Sequence, residues 1–155
     1  MRFKLILAAL PVWSWAAWVL LALGPLRAVA APPLKLEAQL VWGTNDKVSP
    51  DPKHKPVEPA VKRKLKDLPL RWANYFEVNR QDFEVPPDGV KKVSLSKQCA
   101  IEVKNLGHSK IEVSHFGKGE HVLKRIQALP KGETFVLGGN APNATSWFVI
   151  LKRIE

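Results

Sequence analysis

The sequence predicts a mainly β protein, an antiparallel β-sandwich of immunoglobulin-like kind with one short helix in its first long connection. Three observations predict it. Within Val90–Phe116, Val93, Leu95, Cys99, Ile101 and Val103 fall on odd numbers, and Ile111, Val113 and His115 resume the alternation after a break. A period of two lines up one set of side chains on one face of a strand. Turn-forming groups of Gly, Pro, Asn and Asp recur every 8–12 residues or so, the spacing of short sandwich strands, roughly seven or eight in all. Helical spacing is confined to Pro59–Leu68, where Val61, Leu65 and Leu68 share a face. A small β-barrel would show the same pattern and is the alternative.

Leu34–Trp42 opens the domain as a half-buried strand, with Leu34, Leu36, Ala38, Leu40 and Trp42 alternating against Lys35, Glu37 and Gln39. Gly43–Val57 is a loop, since its prolines and glycine preclude regular structure. Pro59 suits a first helical position, and Pro69 stops the helix. At ten residues that helix is about 15 Å long, too short to persist unless its apolar stripe docks on the sheet.

Tyr75–Val78 and Asp82–Val85 read as extended, with a bend near Asn79–Arg80. Pro86–Gly89 turns the chain into the central run, whose reversal falls at Asn105–His108. After a turn at Gly117–Glu120, His121–Leu129 fits strand or helix; its neighbours argue for strand. Pro130–Glu133 is a turn and Thr134–Leu137 a strand. Gly138–Asn143 reads as a flexible loop, and Trp147–Ile154 as a central strand covered on both faces.

The 155-residue chain carries 24 Lys and Arg against 14 Asp and Glu, a formal net charge of +10. Arg2 and Lys4 precede an apolar run from Leu5 to Leu26, and Ala28-Val29-Ala30 offers the small residues that a signal peptidase reads. Residues 1–30 are therefore expected to be a signal peptide cleaved after Ala30. The alternative is a retained anchor, because the run could span a bilayer and holds Trp13, Trp15 and Trp18. Either way the expected location is periplasmic or secreted. Residues 31–155 read as one sandwich domain with 21 basic and 14 acidic residues, since Arg2, Lys4 and Arg27 precede it. The excess is local: Lys47–Lys66 holds seven basic residues and two acids. Within it Lys53, Lys55, Lys62, Arg63, Lys64 and Lys66 form the candidate anion-binding patch.

The motifs of common enzyme chemistry are missing: no nucleophile elbow, phosphate loop, dinucleotide glycine pattern or H-E-x-x-H. No cofactor, catalytic group or metal site is expected. Cys99 is the single cysteine, so no intramolecular disulfide is possible, and its inward register favours a buried thiol over a nucleophile paired with a histidine. His115 and His121 flank a turn and could face each other on a metal, but spacing supplies no third ligand; His54 lies in the basic loop and His108 at a hairpin tip. Thr44, Asn45, Asp46, Ser49 and Asp51 are rich in oxygen, yet their spacing fits Asx-turns better than a calcium loop. Trp72, Tyr75, Phe76 and Phe83 beside a basic helix suggest base stacking, but core packing explains them more simply, and no specific nucleic-acid partner is expected. Asn143-Ala144-Thr145 matches a glycosylation acceptor and is read as chance in a bacterial chain.

The stretches LEAQLVWGTND (36–46), WANYFEVNR (72–80) and VKNLG (103–107) resemble small exported bacterial proteins of unknown function. The resemblance implies export and carries no functional residues. The expected function is a non-enzymatic binding or structural protein of the bacterial cell envelope, with sheet edges and the Gly43–Val57 loop as contact surfaces. The alternative is a basic-patch binder of an anionic polymer (glycan, lipid headgroup or nucleic acid); a hydrolase or metal enzyme ranks last.

Overall fold

The computed structural model describes residues 32–141 and 145–155. Residues 1–30, the expected signal peptide, lie outside them, as do Asn143 and Ala144 of the glycosylation pattern. Among the described residues no helix is long and apolar enough to cross a membrane.

Among the described residues nine strands and one helix follow in the order β1 (Leu34–Thr44), β2 (Lys55–Pro56), α1 (Pro59–Lys66), β3 (Asn74–Val85), β4 (Val90–Ser94), β5 (Cys99–Asn105), β6 (Lys110–Gly117), β7 (Glu120–Ala128), β8 (Thr134–Asn140) and β9 (Ser146–Arg153). They form two antiparallel sheets, five strands in the order β2-β3-β1-β9-β8 and four in the order β4-β5-β6-β7. The smaller sheet is a meander of consecutive hairpins. The larger joins the first and last strands of the domain at its centre. The two sheets do not close into a barrel.

Alternation decides what the sandwich buries. Leu36, Ala38 and Leu40 of β1 meet Ile101, Val103, Ile111 and Val113 of β5 and β6, all fully buried in one core with Leu137, Val149 and Leu151. Burial of a large aliphatic side chain is worth about 1.5–3 kcal/mol, so this interface is the main source of stability.

The five-stranded sheet is also covered on its other face. Val41, Tyr75, Phe148 and Ile150 pack there with Val57 and with Leu65 of α1. That second layer is why β9 reads as a continuous apolar run: Val149 and Leu151 face the sandwich, Phe148 and Ile150 face the helix.

Four details depart from the sequence reading, the first being that the expected Gly43–Val57 loop begins inside β1 and ends with β2, which pairs with β3. The helix ends at Lys66, with Asp67 as its C-cap, and Leu68 lies beyond it and exposed at 37%. A residue before proline avoids helical angles, so Pro69 acts one position earlier on the chain than its own. Strand β8 runs on through Gly138 and Gly139, where a loop was expected. It pairs with β9 as far as Asn140–Ser146, and the missing Cβ of Gly138 leaves room for the Phe148 ring, 3.0 Å from where that atom would sit. Finally, Asn74–Val85 is one strand, and the expected bend is a register shift in the β1–β3 ladder.

Candidate functional site

That shift builds the main polar cluster of the molecule. Leu40 pairs with Asn79 and Val41 with Glu77, so Val78 is an extra residue in β3. In a regular strand Glu77 and Arg80, three apart, would point to opposite faces. A bulge re-aims the chain, and both side chains reach the α1 side of the sheet. Arg80 Nη2 donates to Glu77 at 2.7 Å and to Glu58 at 2.8 Å, and Nη1 reaches Glu37 at 3.4 Å. The amide of Gln39, almost wholly buried, donates to the same Glu77 carboxylate. The carboxylates around it raise the Arg80 pKa against the opposing effect of burial.

Arg80 therefore sits among carboxylates from β1, β3 and the start of α1. Glu58 is the N-cap residue of the helix but makes no side-chain cap bond; its carboxylate is spent on Arg80. The ion pair ties the helix to the sheet alongside the buried Leu65. A cleft of about 260 Å³ lies between them, and Lys64 and Lys152 join Glu37, Glu58 and Arg80 in lining it.

All six candidate anion-binding residues are exposed, and none joins an ion pair among the described residues. Lys62 and Lys66, four apart, lie on one flank of α1. Lys64 faces the carboxylate cleft instead, so the helix contributes a cationic flank rather than four equivalent charges. Arg63, Lys64 and Lys66 occupy the last turn, where cations complement the helix dipole. Lys55 lies on β2 opposite Glu77, and Lys53 is in the loop before it.

The two acids of the basic segment are engaged elsewhere. Glu58 is held by Arg80, and Asp51 accepts from the backbone N–H of Lys53 and lies 3.7 Å from His54. The loop between β1 and β2 is pinned at several points. Thr44 and Ser49 hydroxyls accept from the N–H groups of Asp46 and Asp51, so hydroxyl turns stand beside the expected Asx-turn, which Asp51 makes with Lys53. Asn45 and Asp46 bond to Ala73 and Asn74, and His54 meets Ser49 at 2.8 Å and the edge of Trp42.

The remaining candidates separate. Cys99 faces inward as expected, but a base is in reach: His115 Nε2 lies 3.4 Å from Sγ. Cys99 pairs with Gly117 and Ile101 with His115, so the two side chains meet diagonally across the β5–β6 ladder. Burial pushes the thiol up to about 11 and the imidazole below its ordinary value, so the pair is a neutral thiol against a neutral ring. His115 does not face His121. The β6–β7 register shifts between His115 and Phe116, and His121 instead packs edge-on against Phe116 on the outer face, where Lys92 lies over the same ring at 4.5 Å. Of the aromatic group, Tyr75 and Phe76 are buried, while Trp72 and Phe83 are half-buried against the two cores, so these rings serve packing.

Sequence reasoning missed the Arg80 cluster. Its one legible trace was the bend expected near Asn79–Arg80, because no spacing rule pairs residues three apart in a strand. Comparison of the chain with protein-family models, with curated proteins and with solved structures finds no match.

Proposed function

We propose that the protein is an exported, non-enzymatic binding module of the bacterial cell envelope, and that the cationic flank of α1 engages an anionic polymer. One observation carries the reading. Arg80 gathers Glu37, Glu58 and Glu77, so beside the helix the C-cap Asp67 is left to face Lys62, Arg63 and Lys66, which stay exposed and join no ion pair among the described residues. A flank with more cations than acids, on a helix docked by Leu65, presents its charge in a fixed geometry, which favours extended polyanions over scattered counter-ions. Export is supported by Arg2 and Lys4, the apolar run and Ala28-Val29-Ala30.

The test is retention on a heparin-type matrix across a salt gradient. The wild-type protein should elute later than a variant with Lys62, Arg63, Lys64 and Lys66 all changed to Glu, and its affinity should fall steeply with salt. Equal elution of the two would overturn the proposal. N-terminal sequencing of protein from a periplasmic fraction tests export: a new terminus at Ala31 is expected, and confinement to the cytoplasm contradicts it.

A further inference from the structure

The basic excess is not confined to the segment around α1. Val90–Ala128, which forms the four-stranded sheet, holds eight Lys and Arg against three Glu, and all eight basic residues are exposed. Composition hides this, because residues 67–89 just before it carry five acids and two Arg. Alternation sorts the eight. Val93, Ile101, Val103, Ile111 and Val113 point into the sandwich core, so their even-numbered neighbours point outward. Lys92, Lys104, Lys110 and Lys124 take that outward register, with Glu102 and Glu112 as the acids among them. Glu120 opens β7 opposite Gly117, in the inward register, and Asp88 lies in the turn before β4.

Cross-strand pairing sets these side chains in two rows. One runs Lys92, Glu102, Ser114 and Lys124; the next runs Val90, Lys104, Glu112 and Ile126. The face is about 14 Å across, at about 4.8 Å per strand spacing. Glu112 is held by Lys124 at 2.8 Å and Lys92 lies over the Phe116 ring, while Lys104 and Lys110 join no ion pair among the described residues. The turns that carry Lys97 and Lys118 adjoin at the end beyond Phe116, where the Lys118 N–H donates to the Gln98 carbonyl at 2.8 Å. Two exposed aliphatic side chains, Val90 at 51% and Ile126 at 63%, stand at the two edges of the second row. A thread-like polyanion needs a line of charge and gains nothing from exposed aliphatic groups. A bilayer surface uses both: anionic headgroups attract the ammonium groups, and apolar side chains enter the boundary beneath them.

We propose that the outer face of the four-stranded sheet docks on an anionic lipid surface. The lysines supply attraction across a broad, flat area, and Val90 and Ile126 supply apolar contact at its edges. Long Lys stems lie along apolar surface while their charged ends stay among the headgroups. The α1 helix packs on the far side of the five-stranded sheet from this face. A protein docked in this way turns α1 away from the lipid and leaves its cationic flank open. The proposal stands on different residues from the α1 reading and does not depend on it.

Sedimentation of the purified full chain with two kinds of vesicle tests this: phosphatidylcholine alone, and phosphatidylcholine mixed with phosphatidylglycerol. Comparing the two lipids removes any contribution from residues 1–30, whose apolar run would bind both. The wild-type protein should bind the mixed vesicles at least about tenfold more tightly than the neutral ones, and the preference should shrink with salt. Lys92→Glu, Lys104→Glu and Lys110→Glu combined should cut that preference at least about tenfold. Lys62→Glu, Arg63→Glu and Lys66→Glu combined, with the same change of net charge, should cut it less than about threefold. Val90→Ser with Ile126→Ser, which leaves the charge unchanged, should weaken binding to the mixed vesicles about threefold or more. Equal binding of the two lipids by the wild-type protein overturns the proposal. Equal losses from the two charge sets also overturn it, since net charge alone would then explain binding. Wild-type vesicle affinity in Val90→Ser with Ile126→Ser overturns it in favour of a soluble polyanion.

Discussion

The two faces of the five-stranded sheet are buried by different means. The face toward the smaller sheet is filled by aliphatic side chains in strict alternation, Leu36, Ala38 and Leu40 against Ile101, Val103 and Val113. The face toward α1 mixes an apolar half, Val41, Tyr75, Leu65 and Ile150, with the charged half around Arg80. The first is non-directional and tolerates any well-packed apolar shape. The second depends on one inserted residue, Val78, that brings Glu77 and Arg80 to the same side. Stability is concentrated on the first face and the candidate function on the second.

Substitutions should separate the two in order of size. Leu36→Ala on the sandwich side should cost about 3 kcal/mol in urea unfolding, as deletions from a sealed core do. Leu65→Ala should cost about 2 kcal/mol and loosen α1, because the short helix has little stability without its docking residue. A larger loss for Leu65→Ala than for Leu36→Ala would reverse the ranking of the faces.

Arg80→Gln should cost about 1–2 kcal/mol, since it leaves three carboxylates facing one another in a partly solvated cleft. Glu58→Gln, at the exposed end of the cluster, should change stability by less than about 0.5 kcal/mol. Equal effects for the two would mean that Arg80 is not the centre of the network.

The sandwich face carries a titratable pair, Cys99 and His115, and both report its dryness. With its pKa pushed up to about 11, the Cys99 thiol should react with a thiol reagent at pH 8 at least about tenfold more slowly than free cysteine. Reaction at the free rate would show that the sandwich is open there. Burial disfavours the His115 imidazolium, so the folded protein takes up that proton only below the ordinary value of 6.5. The unfolded chain then holds more protons just below pH 6.5, and stability should fall as pH drops through that window. Urea midpoints at pH 7 and pH 5.5 measure it, and His115→Gln should flatten the difference.

The same contrast explains what was legible in the sequence. Alternation from Val93 to Val113 needed only side-chain parity, and the described strands follow it. The helix from Pro59 and the doubly covered β9 followed from spacing and from length of apolar run. Which strands share a sheet was not legible, because hairpin signals identify neighbours in sequence and the β1–β9 pairing joins residues more than a hundred positions apart. The extension of β8 was hidden by Gly138 and Gly139, which mark a loop in the sequence, although Gly138 here makes room for Phe148. Of the candidate site, the basic residues were plain from composition. Their lack of partners was not, because it depends on where Glu37, Glu58 and Glu77 turn, and that follows from the Val78 bulge.

The most direct test of the account compares Arg80→Gln with Arg125→Gln, a distant exposed residue on β7 that carries the same charge. Each variant loses one cation, but only the first releases carboxylates beside α1. In salt-gradient elution from a heparin-type matrix, Arg80→Gln should elute clearly earlier than Arg125→Gln, because the freed acids offset the helix cations. Coincident elution of the two variants would contradict the claim that Arg80 keeps the α1 flank net cationic.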